Sequence, residues 1–289
     1  MSEKSQPRSG KEKLALMQAE QARKSRQTKL LSVLAGFVVA VLVVVGVAWA
    51  VSSQNKKEQD QKAKAAAASN KFIDTVTSIP ASSFAAVGAG TANGRPQPLA
   101  NPKAETENGK PVMTYIGAEF CPYCGMERWA MVAALSRFGS FSGLQGAVSA
   151  ADDQPANIPT MTFLHSKYTS KYLVFNSYET QDRNHNPLQT PPKAISKVMA
   201  SVNPNGTIPW IDFGGKTYTN GATYDGSSMS NMSAEDVAAQ LKKPSSPLAK
   251  GILGAANVMT AQLCELTDGK PGAVCKAKGV IEAAGASGQ

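Results

Sequence analysis

Apolar residues are distributed along this chain in three different ways. Residues 30–51, LLSVLAGFVVAVLVVVGVAWAV, form an unbroken run of 22 without a charge, Asn or Gln. As a helix it is long enough to cross about 30 Å of hydrocarbon, and Trp49 sits near one end, where an interfacial aromatic belongs. Residues 52–70 are polar and Ala-rich and read as a stalk, helical in part. Residues 71–79 fit a short helix, and Pro80 to Lys110, rich in Gly, Pro, Ala and Asn, predicts loop with little regular structure. From Pro111 onward, short apolar runs alternate with helical spacing. Val112–Ile116 predicts a strand, followed by a helix to about Phe138 with Gly139 as its stop. At about 100° per residue, Cys124, Met131, Leu135 and Phe138 share one face of that helix, which turns Cys124 inward.

Further strands are predicted at Thr160–Leu164 and Tyr172–Phe175. A helix follows from about Pro192 to Val202. Trp210–Phe213, the Gly214-Gly215 turn and Lys216–Thr219 read as a hairpin. Ser233, with Glu235 and Asp236 behind it, marks a helix start. Helical spacing resumes from about Pro247 to Leu266, and weakly after Cys275. Strands alternating with helices, then a hairpin and a helix, predict an α/β layer with a mixed sheet.

Charge adds topology to this picture. Residues 1–29 hold eight Lys/Arg and three Glu, a net of +5. The positive-inside rule keeps such a tail in the cytoplasm, against anionic lipid, and sends the remainder outside. A cleaved signal peptide is the other reading, since Ala48-Trp49-Ala50 fits a small-x-small site. The apolar run exceeds the ~7–15 residues usual for a signal sequence and its leader is long, so an uncleaved single-pass anchor in the cell membrane is favoured. Residues 52–289 carry 22 Lys/Arg against 18 Asp/Glu, a net of +4, too mild and scattered for a nucleic-acid partner. The predicted organisation is a basic cytoplasmic tail (1–29), a transmembrane helix (30–51), a stalk and loop-rich lead-in (52–110) and an extracytoplasmic domain with a C-terminal helical extension (111–289).

All four cysteines lie beyond the span, where disulfides persist. Cys121-Pro122-Tyr123-Cys124 occupies the junction between the first strand and its helix. A Cys at a helix N-terminus faces unpaired N–H groups and the positive end of the dipole, which favour the reactive thiolate. Pro122 suits the first helical position. Cys124 follows within one turn, close enough to resolve a mixed disulfide at Cys121. Zinc and a purely structural thiol pair are the alternatives. No spacing among Cys264, Cys275, His165 and His185 suggests zinc ligands, so no metal is assigned. A c-type haem needs His after the second Cys, where Gly125 stands. Cys264 and Cys275 flank a strong turn signal, Asp268-Gly269-Lys270-Pro271-Gly272, and read as a structural disulfide, with a second redox pair as the other reading. His165 and His185 sit alone in polar loop sequence and read as surface residues. Trp129 and Met126 would line a peptide-binding surface or enter the core.

With strand, CPYC and helix in this order, the chain resembles a thioredoxin-fold active site, and its Pro-Tyr dipeptide is that of glutaredoxins. Thr207-Ile208-Pro209-Trp210-Ile211-Asp212-Phe213-Gly214-Gly215-Lys216 resembles the second landmark of that fold, an X-Pro bond leading into a strand and hairpin. The resemblance implies that Pro209, after a cis bond, faces the CPYC pair, and that the backbone of Ile208 holds substrate peptide by strand-like hydrogen bonds. Over GAEFCPYCGMERWAMVAALSRFG, SKYLVFNSYE and ANVMTAQLCELTDGKPGAVC the chain also resembles an uncharacterised prokaryotic family, a domain of unknown function, of membrane-anchored thioredoxin-like proteins. Two departures stand out. The interval from Cys124 to Pro209 is much longer than in a minimal thioredoxin, so an insertion precedes the cis-Pro strand. The buried carboxylate that thioredoxins carry six residues before the first Cys is Tyr115 here. Glu119 and Glu127 are near in sequence and read as solvent-facing.

The expectation is a mixed sheet flanked by helices, thioredoxin-like, working as a membrane-anchored thiol–disulfide oxidoreductase on exported proteins. Cys121 is the nucleophile and Cys124 the resolving thiol, with Ile208, Pro209 and Trp129 at the substrate surface. Oxidase or isomerase activity is favoured over reductase. No cofactor is implied; a separate membrane redox partner is. The other reading is a non-enzymatic cell-surface binding module in which CPYC is a static staple.

Overall fold

The computed structural model describes residues 71–287. The predicted tail, membrane span and stalk (1–70) lie outside them; among the described residues no helix is long and apolar enough to cross a membrane. A helical stretch at 71–77 (α1) leads to Ala81–Val87 (α2), then short strands Gln97–Pro98 (β1) and Thr106–Glu107 (β2). The strand Lys110–Gly117 (β3) and the helix Pro122–Leu135 (α3) follow. Four strands come next, Gly139–Ser142 (β4), Gln145–Val148 (β5), Pro159–Thr162 (β6) and Lys167–Ser170 (β7), and then Val174–Glu179 (β8). Helix Lys193–Val202 (α4) precedes Trp210–Phe213 (β9) and Thr217–Asn220 (β10). The chain ends in Ala234–Leu241 (α5), Pro247–Leu266 (α6), Gly272–Cys275 (α7) and Lys278–Ser287 (α8).

The main sheet has six strands and is mixed. β3 is central, parallel to β8 and antiparallel to β9, while β10 folds back on β9 and carries β1 at its edge. Two pairs of residues in the left-handed conformation turn its hairpins: Gly214-Gly215 between β9 and β10, and Asn108-Gly109 between β2 and β3. On one face of β3 and β9, Met113, Tyr115, Ile211 and Phe213 join the core that receives α3. α6 packs against α3, so α3 runs through the middle of the molecule.

That placement changes the reading of α3. All of its residues except Tyr123 are buried, so the single apolar stripe drawn through Cys124 and Leu135 understates its burial. The helix ends at Leu135, not Phe138. Gly139 is not its cap: it opens β4 opposite Ser170, and its backbone passes so close to the Thr169 carbonyl that no side chain would fit.

The lead-in also needs correcting. The helix expected at 71–79 is present over 71–77, and the loop expected over 80–110 is interrupted by α2 and two two-residue strands. Phe72, Ile73, Val76 and Phe84 enter the same core as α3, and α2, β1 and β2 are regular elements within 80–110. Apolar burial outweighs a turn-rich composition here; Phe84 is buried and Val87 packs against the same core, anchoring α2. The long interval before Pro209 holds two excursions. Residues 139–173 build two small antiparallel pairs, β4–β7 and β5–β6, and residues 180–209 carry α4, none of whose residues is buried. Between them β8 supplies a strand of the main sheet, starting at Val174 and extending to Glu179.

Candidate active site at Cys121 and Cys124

The end of β3 and the start of α3 bring the two thiols together. Cys121 is the N-cap of α3, in extended conformation, and its sulfur accepts a hydrogen bond from the Cys124 N–H at 3.2 Å. Pro122 begins the helix, where a missing N–H costs nothing. Cys121 is 5 % exposed and Cys124 not at all, and both are in the thiol form. They pack with Ala118 into a small cluster of their own, bordered by Phe120 and Ile208. The Cys121 thiol donates toward the Ile208 carbonyl at 3.7 Å, and the Ile208–Pro209 bond is cis. Ile208 is half-buried and Pro209 buried.

The two thiols differ in acidity. The Cys121 thiol is held below the ordinary range, first by the side-chain hydrogen bond from Cys124, then against burial by the Cys124 N–H and the charge of Arg128. Burial pushes Cys124 well above it, reinforced by the hydrogen bond and charge of Cys121. One sulfur near the surface is therefore primed as a thiolate, and the sulfur behind it holds its proton.

A polar layer lies under the pair. Arg128, one turn beyond Cys124 on the same helix face, is wholly buried. Its Nε donates to Glu179 Oε1 and its Nη2 to Oε2, both at 3.0 Å, and Nη2 also donates to the Ala118 carbonyl at 2.6 Å. Glu179, at the end of β8 opposite Gly117, further accepts from the Phe163 N–H at 3.3 Å. Burial opposes the charge on Arg128, but the Glu179 carboxylate outweighs it and keeps the guanidinium protonated. Tyr115 has a buried hydroxyl without a hydrogen-bond partner, and burial keeps it neutral by raising it well above the ordinary phenol range.

The nearby carboxylates are placed otherwise than sequence position suggests. Glu127 is fully buried, not solvent-facing, and accepts from the N–H and hydroxyl of Thr223. Glu119 is half-buried and accepts from the Thr162 hydroxyl at 2.6 Å.

Trp129 does not line a surface. It is fully buried, donates from Nε1 to the Pro159 carbonyl at 2.8 Å, and packs against Phe72 with ring centroids 5.3 Å apart. Met126 is buried beside it in the core. The aromatic groups that flank the thiols are Tyr123, 48 % exposed, and Phe120. The ring of His185 lies 4.2 Å from that of Phe120, with its side chain 46 % exposed. His185 thus belongs to the rim of the site, although no sequence signal linked it to Cys121. His165 is an exposed residue between β6 and β7. A groove of about 530 Å³ opens beside Phe120 and Ile208, walled on its far side by Met199 and Ala200 of α4.

Cys264 and Cys275 form a disulfide that ties the end of α6 to α7. Among the described residues, no three His, Cys, Asp or Glu side chains gather where they could hold a metal ion.

A family model described as a domain of unknown function (DUF929) matches residues 99–265, more than half of the chain, so the chain belongs to that family. The match runs from just before β2 to the last turn of α6 and contains the CPYC pair, Arg128, Glu179 and Pro209. No curated protein and no solved structure matches the chain.

Proposed function

We propose that this DUF929 member is a thiol–disulfide oxidoreductase on a thioredoxin-like scaffold, tethered outside the membrane by residues 30–51 and acting on exported proteins. The observation that carries the proposal is the asymmetry of the pair. Cys121 caps a helix with its thiol held below the ordinary range beside Ile208 and Pro209, while Cys124 is sealed behind it with its thiol raised.

That asymmetry favours oxidation of client dithiols or isomerisation of client disulfides. In oxidation, a client thiolate attacks Cys121 of the Cys121–Cys124 disulfide. A client–Cys121 bond forms, and Cys124 leaves and takes a proton, as its raised pKa requires. A second client thiol loses its proton and attacks the client sulfur of the mixed disulfide. Cys121 departs as a thiolate, the better leaving group of the two. The client loses two electrons and two protons overall; the enzyme holds the electrons as the Cys121 thiolate and the Cys124 thiol, one proton going to Cys124 and the other to solvent. A separate membrane redox partner, an electron acceptor, restores the disulfide. In isomerisation the cycle starts from the Cys121 thiolate and ends there, with no net electron transfer.

Reduction is disfavoured by what surrounds Cys124. To resolve a mixed disulfide on Cys121 it must lose its proton. Tyr115 stands six residues before Cys121, and the buried carboxylates of Glu179 and Glu127 are committed to Arg128 and Thr223.

The test is a Cys124→Ser variant expressed in the native host. Mixed disulfides between Cys121 and exported proteins are expected to accumulate and to disappear on reduction. A well-expressed variant that traps nothing, together with a Cys121–Cys124 potential below about −300 mV, would overturn the proposal in favour of a static staple.

A further inference from the structure

Nothing in the exchange chemistry requires the ion pair beneath the thiols. A buried ion pair is a poor device for stability, since two apolar residues of similar volume do as well or better. This one also leaves Nη1 of Arg128 buried without a partner. Its position suggests what it does. Arg128 follows Cys124 by one helical turn, and its Nη2 is bonded to the carbonyl of Ala118, which packs directly against both cysteines. Glu179 grips the guanidinium from β8 through two parallel hydrogen bonds, which fixes its plane.

We propose that Arg128 is the positioning residue that sets the redox balance of the CPYC pair: its buried guanidinium, oriented by Glu179, stabilises the reduced cysteines over their disulfide. The inference rests on the oxidoreductase reading and adds to it the source of the oxidising bias. The buried charged and titratable groups around the thiols are Arg128 on α3, Tyr115 on β3, Glu179 on β8 and the thiols themselves, with Tyr123 and His185 at the exposed rim. The charge of Arg128 favours the thiolate at both cysteines, and the Glu179 carboxylate bonded to it is the counter-charge that opposes this effect. With Tyr115 neutral, Arg128 is the buried cation whose charge acts on both sulfurs.

The two members of the pair can be told apart because they carry opposite charges. In the full chain in detergent, the Cys121–Cys124 couple is equilibrated with glutathione, and the pH midpoint of Cys121 alkylation is followed in parallel. Arg128→Met is expected to shift the exchange equilibrium at least tenfold toward the disulfide, about 30 mV more reducing, and to raise the alkylation midpoint. Glu179→Gln keeps a hydrogen-bond acceptor for Arg128 but removes the counter-charge. It is expected to move both readouts the other way. The double variant Arg128→Met with Glu179→Gln removes both charges of this pair and carries the test if Arg128→Met alone does not fold; it should shift in the same direction as the single Arg128 change. A purely structural role would move both single variants in the same direction, or neither, while the pair still exchanged with glutathione. Either result overturns the inference and leaves the oxidoreductase reading standing. A parent protein that does not exchange with glutathione overturns both.

Discussion

Glu127 and Thr223, 96 residues apart, form a closed hydrogen-bonded pair in which both the N–H and the hydroxyl of Thr223 donate to one buried carboxyl at 2.8 Å. Among the described residues no cation joins them, and burial raises the Glu127 carboxyl from 4.5 to about 7. The folded protein therefore holds this proton more tightly than the unfolded chain. Its contribution to stability is complete below the unfolded value of 4.5 and is lost as pH rises through the folded value.

Urea midpoints should accordingly fall between pH 5 and pH 8. A shift of that size corresponds to roughly 3 kcal/mol at full effect. Glu127→Gln preserves an acceptor for the N–H and offers an amide to the hydroxyl, so it should match the parent near pH 5 and be more stable by roughly 1–3 kcal/mol at pH 8. Asp212, raised by burial to about 6, contributes the same sign and remains in both proteins. An unchanged pH slope in Glu127→Gln would sink the prediction.

The thiols give a second prediction. In the reduced protein at pH 7, iodoacetamide should modify Cys121 at least about tenfold faster than Cys124, because the Cys121 thiol is held below the ordinary range while burial raises Cys124 well above it. Cys124→Ala removes the hydrogen bond that contributes most to the acidity of Cys121. The pH midpoint of Cys121 alkylation should then rise. Mass spectrometry of the modified peptides reads both effects; preferential labelling of Cys124, or an unmoved midpoint, would contradict them.

Parts of this site could be read along the chain and parts could not. The strand through Tyr115, the turn at Cys121 and the helix after it are local events, set by an apolar run, a proline at the first helical position and a helix-forming sequence. The helix Pro247–Leu266 was equally plain, starting on a serine cap and a proline. Asn108-Gly109 carried a hairpin signal that the surrounding Gly, Pro and Asn obscured. The polar layer was not legible at all. Arg128 and Glu179 are 51 residues apart, and a charge in a helix normally marks its solvated face. Only the packing of α3 between the sheet and α6 makes Glu127, Arg128 and Trp129 interior residues, and no periodicity within α3 records that both sides are covered.

The disulfide between Cys264 and Cys275 closes a loop with a sequence separation of 11 at the end of α6. Replacing both cysteines with serine should lower stability by about 2–3 kcal/mol through the added freedom of the unfolded chain. If its role is structural, alkylation of Cys121 in the double variant should keep its rate and pH midpoint. A changed Cys121 profile in the folded variant would instead favour electron relay between the two pairs.

Trp129 decides whether the helix after CPYC presents a binding surface or only a buried spine. The indole fills the space between Phe72 of α1 and the β6 backbone, and its Nε1 satisfies the Pro159 carbonyl. Trp129→Phe removes the donor and part of the ring, leaving a buried carbonyl unpaired beside a small cavity. The cost should be about 2–3 kcal/mol, read as a lower urea midpoint at unchanged slope. Because the ring never reaches solvent, the KM for an exported client or a model dithiol peptide should stay within about twofold of the parent under conditions where the variant is folded. A raised KM with little loss of stability would return Trp129 to the substrate surface.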